Sequence, residues 1–209
     1  MAIQNRGRHL SHCLHVAEIC DRTFIMDVMC LDFLNSEWHD FRGRWVEDRL
    51  QKPEWRHEFL KRWDILVPDV PDTETLEGLV KLRALIRHMV ESLPQAIPLD
   101  EELHALNQIM RDAPPIPHLY WSEQKYEMKY GPLKKNWEWV MAKIATSFAD
   151  LLVSTDTRRL KVCENPDCHW VYYDESKSRT RRYCSNDKCG NLLKLRRFRS
   201  RQKAAQGKD

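Results

Sequence analysis

Cys163, Cys168, Cys184 and Cys189 are the residues of this chain whose type and spacing most directly imply chemistry. They fall as C-x4-C, a fifteen-residue insert, then C-x4-C. Two thiol pairs at matched spacing can close a tetrahedral shell around one Zn²⁺. Four thiolates leave no open position for water, so a zinc held this way is structural and not catalytic. Reduced core thiols or disulfides are the competing readings of the same four residues. His169 is adjacent to Cys168, but neighbouring residues rarely serve one tetrahedral site equally well.

The segments around the thiols must supply the geometry. Asn165-Pro166-Asp167 are strong turn formers, placing the first pair on one tight turn. Arg159–Val162 reads as a short extended lead-in. Trp170–Asp174 alternates large residues like a strand, expected to pair with Arg182–Cys184 across the loop 175–181. Ser185 can cap a helix beginning near Asn186, which puts Cys189 in a first turn whose dipole favours thiolate. Ligands from a turn, a strand end and a helix start describe a treble-clef-like finger. Leu192, Leu195 and Phe198, three apart, are expected to cover the metal.

Charge divides the chain sharply. Residues 158–209 carry 15 Lys and Arg against 6 Asp and Glu, a net +9, while residues 1–157 carry 19 against 25, a net −6. A basic end on an acidic body points to a polyanion partner. The cations expected to meet duplex DNA are Arg179, Arg181 and Arg182 in the finger loop, and Lys194, Arg196, Arg197, Arg199, Arg201 and Lys203 on the helix. Asn191 could read a base edge or brace the turn. A merely solvated arginine-rich helix is the alternative.

The run from Cys163 to Leu192, C-E-N-P-D-C-H-W-V-Y-Y-D-E-S-K-S-R-T-R-R-Y-C-S-N-D-K-C-G-N-L, resembles the CGNR-type zinc finger of bacterial proteins. The cysteines, Asp174, Ser176-Lys177, Arg179, Arg181-Arg182 and Cys189-Gly190-Asn191 carry the resemblance. Upstream, Leu31-Asp32-Phe33-Leu34-Asn35 resembles the opening of the helical ABATE domain paired with that finger. Proteins of this kind are described as putative stress-induced transcription regulators. The resemblance implies DNA binding by the finger and sensing by the helical domain. Leu192 stands where the motif has its final Arg, so Lys194 or Arg196 would have to take that role, or binding would be weaker.

The remaining elements read as mainly α. Met1–Arg22 is polar, without apolar period, and is expected to be a flexible lead-in; its His9, His12, Cys13 and His15 could bind metal adventitiously. Residues 23–157 form a helical domain and 158–209 the finger with its basic helix. Pro53 opens one helix, Asp72 or Thr73 caps a second reaching Pro94, and Asp100 caps a third. Leu119–Tyr130 suggests a small β-hairpin, followed by a long amphipathic helix over 133–154.

Asp32 and Asn35, near Trp38 and Trp45, are candidates for a small-molecule pocket, or simply a helix-terminal hydrogen-bond pair. The seven cysteines in 209 residues do not suggest a secreted disulfide scaffold. No secretory apolar segment opens the sequence and no stretch is long and apolar enough to span a bilayer, so a cytoplasmic protein, or a nuclear one in a eukaryote, is expected. The six glycines form no phosphate-cradling loop, and neither H-E-x-x-H nor G-x-S-x-G occurs, so no enzyme is expected.

The leading reading is a zinc-dependent DNA-binding regulator, with a small-molecule effector and homo-oligomers as further possible partners. RNA or ribosome binding through Trp170, Tyr172, Tyr173 and Tyr183 is one alternative. A ligand sensor whose finger contacts protein is another.

Overall fold

The computed structural model describes residues 28–67, 70–95 and 99–206, with side chains to residue 203. The lead-in and its His9, His12, Cys13 and His15 lie outside the described residues. The body is built on helices α1 (Met29–Leu34), α2 (Pro53–Arg62), α3 (Thr73–Ser92), α4 (Asp100–Asp112) and α5 (Trp137–Ser154). Apolar residues three and four apart explain why α3 and α5 form the centre. Leu79, Leu82, Ile86 and Met89 of α3, and Val140, Ile144 and Phe148 of α5, are all but inaccessible. Burying each such side chain contributes about 1.5–3 kcal/mol before entropy is counted. Caps fix where these helices begin: Asp72 accepts from the Thr75 N–H at 2.8 Å, and Asn136 from the Trp139 N–H at 3.2 Å.

Two expectations change. Asp100 is the first residue of α4 rather than its cap; Leu99 holds the cap position, and Asp100, Glu101 and Glu102 all favour the positive end of the helix dipole. The segment after α1, in a region read only as mostly helical, is an antiparallel pair, β1 (Glu37–His39) with β2 (Val46–Asp48). Arg83 on α3 explains it. This buried guanidinium donates to both Asp48 carboxylate oxygens at 2.7 and 2.8 Å and to Ser36 Oγ at 2.9 Å. Leaving it unpaired would cost several kcal/mol, so the chain around it adopts the extended geometry that supplies acceptors.

The aromatic segment is a hairpin, β3 (Ile116–Ser122) against β4 (Lys125–Gly131). Its two-residue turn holds Glu123 at φ 48° and Gln124 at φ 62°, left-handed positions that normally call for Asn or Gly. Gln124→Gly is therefore expected to stabilise the protein by about 1 kcal/mol, read as a raised denaturant midpoint.

The C-terminal portion starts with β5 (Leu160–Val162), whose antiparallel partner is β6 (Val171–Tyr173). Arg182–Cys184 is not a strand; the lead-in segment takes that edge because Leu160 and Val171 both bury into the body core. Ser185 accepts from the Lys188 N–H and caps one π-turn, Asn186–Gly190, which runs into α6 (Asn191–Gln206). Among the described residues no helix is long and apolar enough to cross a membrane.

Candidate metal centre and its basic helix

The Sγ atoms of Cys163, Cys168, Cys184 and Cys189 lie within 4.8 Å of one another. Cys184 Sγ is 3.6 Å from Cys168 Sγ and 3.7 Å from Cys189 Sγ. A tetrahedral zinc with bonds near 2.3 Å separates its sulfurs by about 3.8 Å. The spacing fits that shell and is far from a disulfide. Among the described residues it is the one grouping of three or more His, Cys, Asp or Glu able to hold a metal ion. The His169 ring stands instead beside His39, centroids 4.5 Å apart.

Electrostatics favour a cation there. Hydrogen bonds from Cys168, Cys184 and Cys189 hold the Cys163 thiol well below its ordinary range, while hydrogen bonding to Cys163 pushes Cys184 and Cys168 upward. Hydrogen bonding with Cys163 raises the Cys189 thiol, but hydrogen bonds from Cys168, Cys184 and Asn165 hold it below its ordinary range as well. Two thiolates are favoured and two opposed, and four crowded thiolates need a metal to neutralise them. Two donors then tune the sulfurs, the Cys184 N–H toward Cys163 and Asn165 Nδ2 toward Cys189, each at 3.4 Å. Tyr172, Phe41, Trp170 and Tyr183 form the apolar wall. Leu195 and Phe198 are more than half exposed and are not among the apolar residues packed around the thiols.

The loop between the thiol pairs is organised by Asp174, which is fully buried. It accepts from Lys161 Nζ at 2.7 Å, from the Ser176 hydroxyl and N–H, and from the Arg181 N–H. Burial alone would raise its carboxyl, but these donors outweigh it and hold the group at about 2. The stability it contributes is present above the ordinary carboxylate range and is lost as pH falls through that value. Lys161 also donates to the carbonyls of Arg179 and Arg181, so one ammonium closes the loop. Asp174→Asn is expected to cost about 3 kcal/mol at neutral pH, seen as a lowered melting temperature with zinc bound.

The finger is seated on the body. Asn35 is buried, and its amide makes both hydrogen bonds of an extended backbone residue with Val171, donating to the carbonyl and accepting the N–H, each at 2.9 Å. Arg87 of α3 donates to the carbonyls of His169 and Leu34. The Phe41 carbonyl accepts from Asn165 Nδ2 at 2.7 Å. Gly43, at φ 75°, lets the β1–β2 loop approach the first thiol turn; a Cβ there would stand 2.9 Å from Asp167 Oδ1. Asn35→Ala strands two buried backbone groups, and a loss of about 2–4 kcal/mol in thermal unfolding is expected.

Two family profiles match this architecture. The one described as ABATE, a putative stress-induced transcription regulator, matches residues 27–155; the one described as a CGNR zinc finger matches residues 159–202. The chain belongs to the ABATE family. No curated protein matches it. Neither profile is described as an enzyme.

Within this ABATE protein the basic residues singled out from the sequence fall into three groups. Arg181 is half-buried and committed to structure, donating to the carbonyls of Tyr183 and Cys184 with its guanidinium 5.0 Å from the Tyr172 ring. Arg179, Arg182 and Arg196 are exposed but paired with Asp156, Glu164 and Asp167. Lys194, Arg199, Arg201 and Lys203 are exposed with no carboxylate within 4 Å among the described residues, and Arg197 meets only the Tyr183 hydroxyl. Asn191 is exposed at the start of α6, and Leu192 is half-buried behind it.

The finger's aromatics are mostly engaged: Tyr172 is buried, and Trp170, Tyr173 and Tyr183 are half-buried. Asp32 and Asn35 are engaged by different partners. Asp32 accepts from Arg62 and from the Trp63 indole N–H, both at 3.0 Å, while Asn35 serves β6. Trp38 and Trp45 pack edge to face on each other. A cleft of about 430 Å³ lies elsewhere, lined by Val28, Trp63, Trp139, Lys143, Ser147 and Asp150 among others. Sequence reading missed Lys161, Asn165 and Phe41 as supports of the site. Asn165 was visible only as a turn former, since its second role needs a carbonyl 124 residues away.

Proposed function

We propose that this chain is a DNA-binding transcription regulator whose C-terminal portion, a treble-clef-like finger, folds around one structural Zn²⁺. Cys163, Cys168, Cys184 and Cys189 hold the ion, which supplies the cross-link a unit this small lacks. The observation that carries the reading is the junction at Cys189. The thiol cluster fixes the π-turn, and α6 runs from it with a row of cations that meet no carboxylate among the described residues. Those cations neutralise phosphates and release counterions. Five contacts from Lys194, Arg197, Arg199, Arg201 and Lys203 give a log–log salt slope of about −4.5. Arg179, Arg182 and Arg196 can add to it by exchanging a weak surface ion pair for a phosphate. Lys194 stands in for the motif Arg absent at Leu192, and Asn191, exposed at the start of α6, reads a base edge.

The body, residues 23–157, senses or regulates, with residues 158–209 as the DNA-reading part. A cytoplasmic location follows from that role. The effector enters the cleft beside Lys143, whose ammonium is half-buried, opposite no carboxylate within 4 Å among the described residues, and lowered in pKa by burial.

Titration of zinc-loaded protein into labelled duplex and single-stranded DNA over a salt series tests the reading. Duplex binding that weakens steeply with salt supports it. A single-strand preference that survives high salt moves the assignment to RNA, and no binding at low salt moves it to a protein-interaction finger.

A further inference from the structure

The β3–β4 hairpin carries a surface that none of the chemistry above uses. Its register pairs Pro117 with Tyr130, Leu119 with Met128 and Trp121 with Tyr126. Directly paired residues share a face, so these six line one side of the ribbon. Every one of them is exposed; Trp121, Tyr126 and Tyr130 show 63%, 72% and 69% of their surfaces. The opposite side carries His118, Tyr120, Lys125, Glu127 and Lys129, where Glu127 pairs with both lysines. One ribbon therefore has a charged, ion-paired wet side and an uncharged aromatic side turned to water.

We propose that the aromatic side is a homodimer interface, two hairpins packing face to face about a two-fold axis. Three features select a second copy of this chain. The face carries no charge, which does not suit a polyanion, whose partners are strongly basic. It is self-complementary: an axis through Leu119 and Met128 lays the Trp121/Tyr126 row of one copy on the Pro117/Tyr130 row of the other. Its size also fits. At roughly 150–250 Å² per aromatic side chain, the six residues offer about 600 Å² per copy, or about 1,200 Å² in all, the lower bound of a specific interface.

Stability argues the same way. A two-stranded ribbon in water is marginal by itself, and this one pairs with no third strand among the described residues. Its turn is also strained at Glu123 and Gln124. Packing against its twin gives it the second layer that a sheet needs. The dimer stands apart from the DNA reading and requires neither DNA nor the finger.

Sedimentation equilibrium of the zinc-loaded full chain at micromolar concentration tests it, with hydrogen exchange of residues 116–131 followed on dilution. The expected mass is twice the 25.0 kDa of one chain. It should halve in Trp121→Lys/Met128→Lys and stay doubled in Lys129→Ala on the wet side. Hairpin amides in the unaltered chain should exchange faster on dilution, a readout that does not depend on how the variants fold.

A single-chain mass for the unaltered protein overturns the proposal, and the face then belongs to a different partner or to residues 1–27. A doubled mass that the hairpin variants leave intact, or exchange indifferent to concentration, overturns it too. DNA binding is scored separately, so its loss or survival does not decide the question.

Discussion

Cys184→Ser is expected to release the zinc and unfold the finger while leaving the helical body standing. Cys184 Sγ is within 3.7 Å of two of the other three sulfurs, so the shell cannot close around its absence. A serine hydroxyl stays protonated at neutral pH and is a poor zinc ligand. A structural zinc contributes about 10–16 kcal/mol of apparent binding energy, more than a unit of this size retains otherwise. The consequence should be graded along the chain. Strands β5 and β6 remain docked through Asn35 and the shared core, whereas the second thiol turn and α6 lose their attachment. Metal analysis should fall from one zinc per chain toward none. Hydrogen exchange should accelerate from Arg181 onward with α3 and α5 protected. An intact zinc content would contradict the four-thiol assignment.

Removing four free charges from α6 is expected to have the second large effect, on affinity rather than folding. In Lys194→Ala/Arg199→Ala/Arg201→Ala/Lys203→Ala, each lost phosphate contact removes about 0.9 from the salt slope, leaving about −1 of an original −4.5. At physiological salt that is a loss of about a thousandfold in duplex affinity. These side chains are exposed and make no ion pair among the described residues, so zinc content and melting temperature should stay close to the parent values. By contrast, Arg181→Ala should harm folding before it harms binding, because its guanidinium bonds two carbonyls beside the metal site.

What the sequence made legible follows from how local each signal is. Cysteine spacing, turn formers and the Ser185 cap act within a few residues, so the thiol cluster and the start of the basic helix were readable directly. Apolar periodicity placed α3 and α5 for the same reason. The errors came where a distant residue decides. Arg83 turns the segment after α1 into strands by demanding Asp48 as a partner, which no local propensity discloses. Leu160 and Val171 draw β5 to β6 by burying in a core made largely by other helices.

Function-bearing residues followed the same division. Ten residues around α6 and the loop read alike as DNA contacts, yet the fold employs Arg181 internally and leaves Lys194, Arg199, Arg201 and Lys203 without a carboxylate partner among the described residues. Asp32 and Asn35 sat close enough in sequence to suggest one pocket. The helix end sends them apart, Asp32 toward Trp63 and Asn35 into β6.

The most direct test of the account is the metal dependence of duplex binding by the full chain, followed by fluorescence anisotropy at low salt. The zinc-loaded protein should bind, the chelator-stripped protein should lose binding, and added Zn²⁺ should restore it. Binding that is equally strong without metal, or absent with one zinc bound per chain, would contradict the proposal that the four thiols fold a DNA-reading finger.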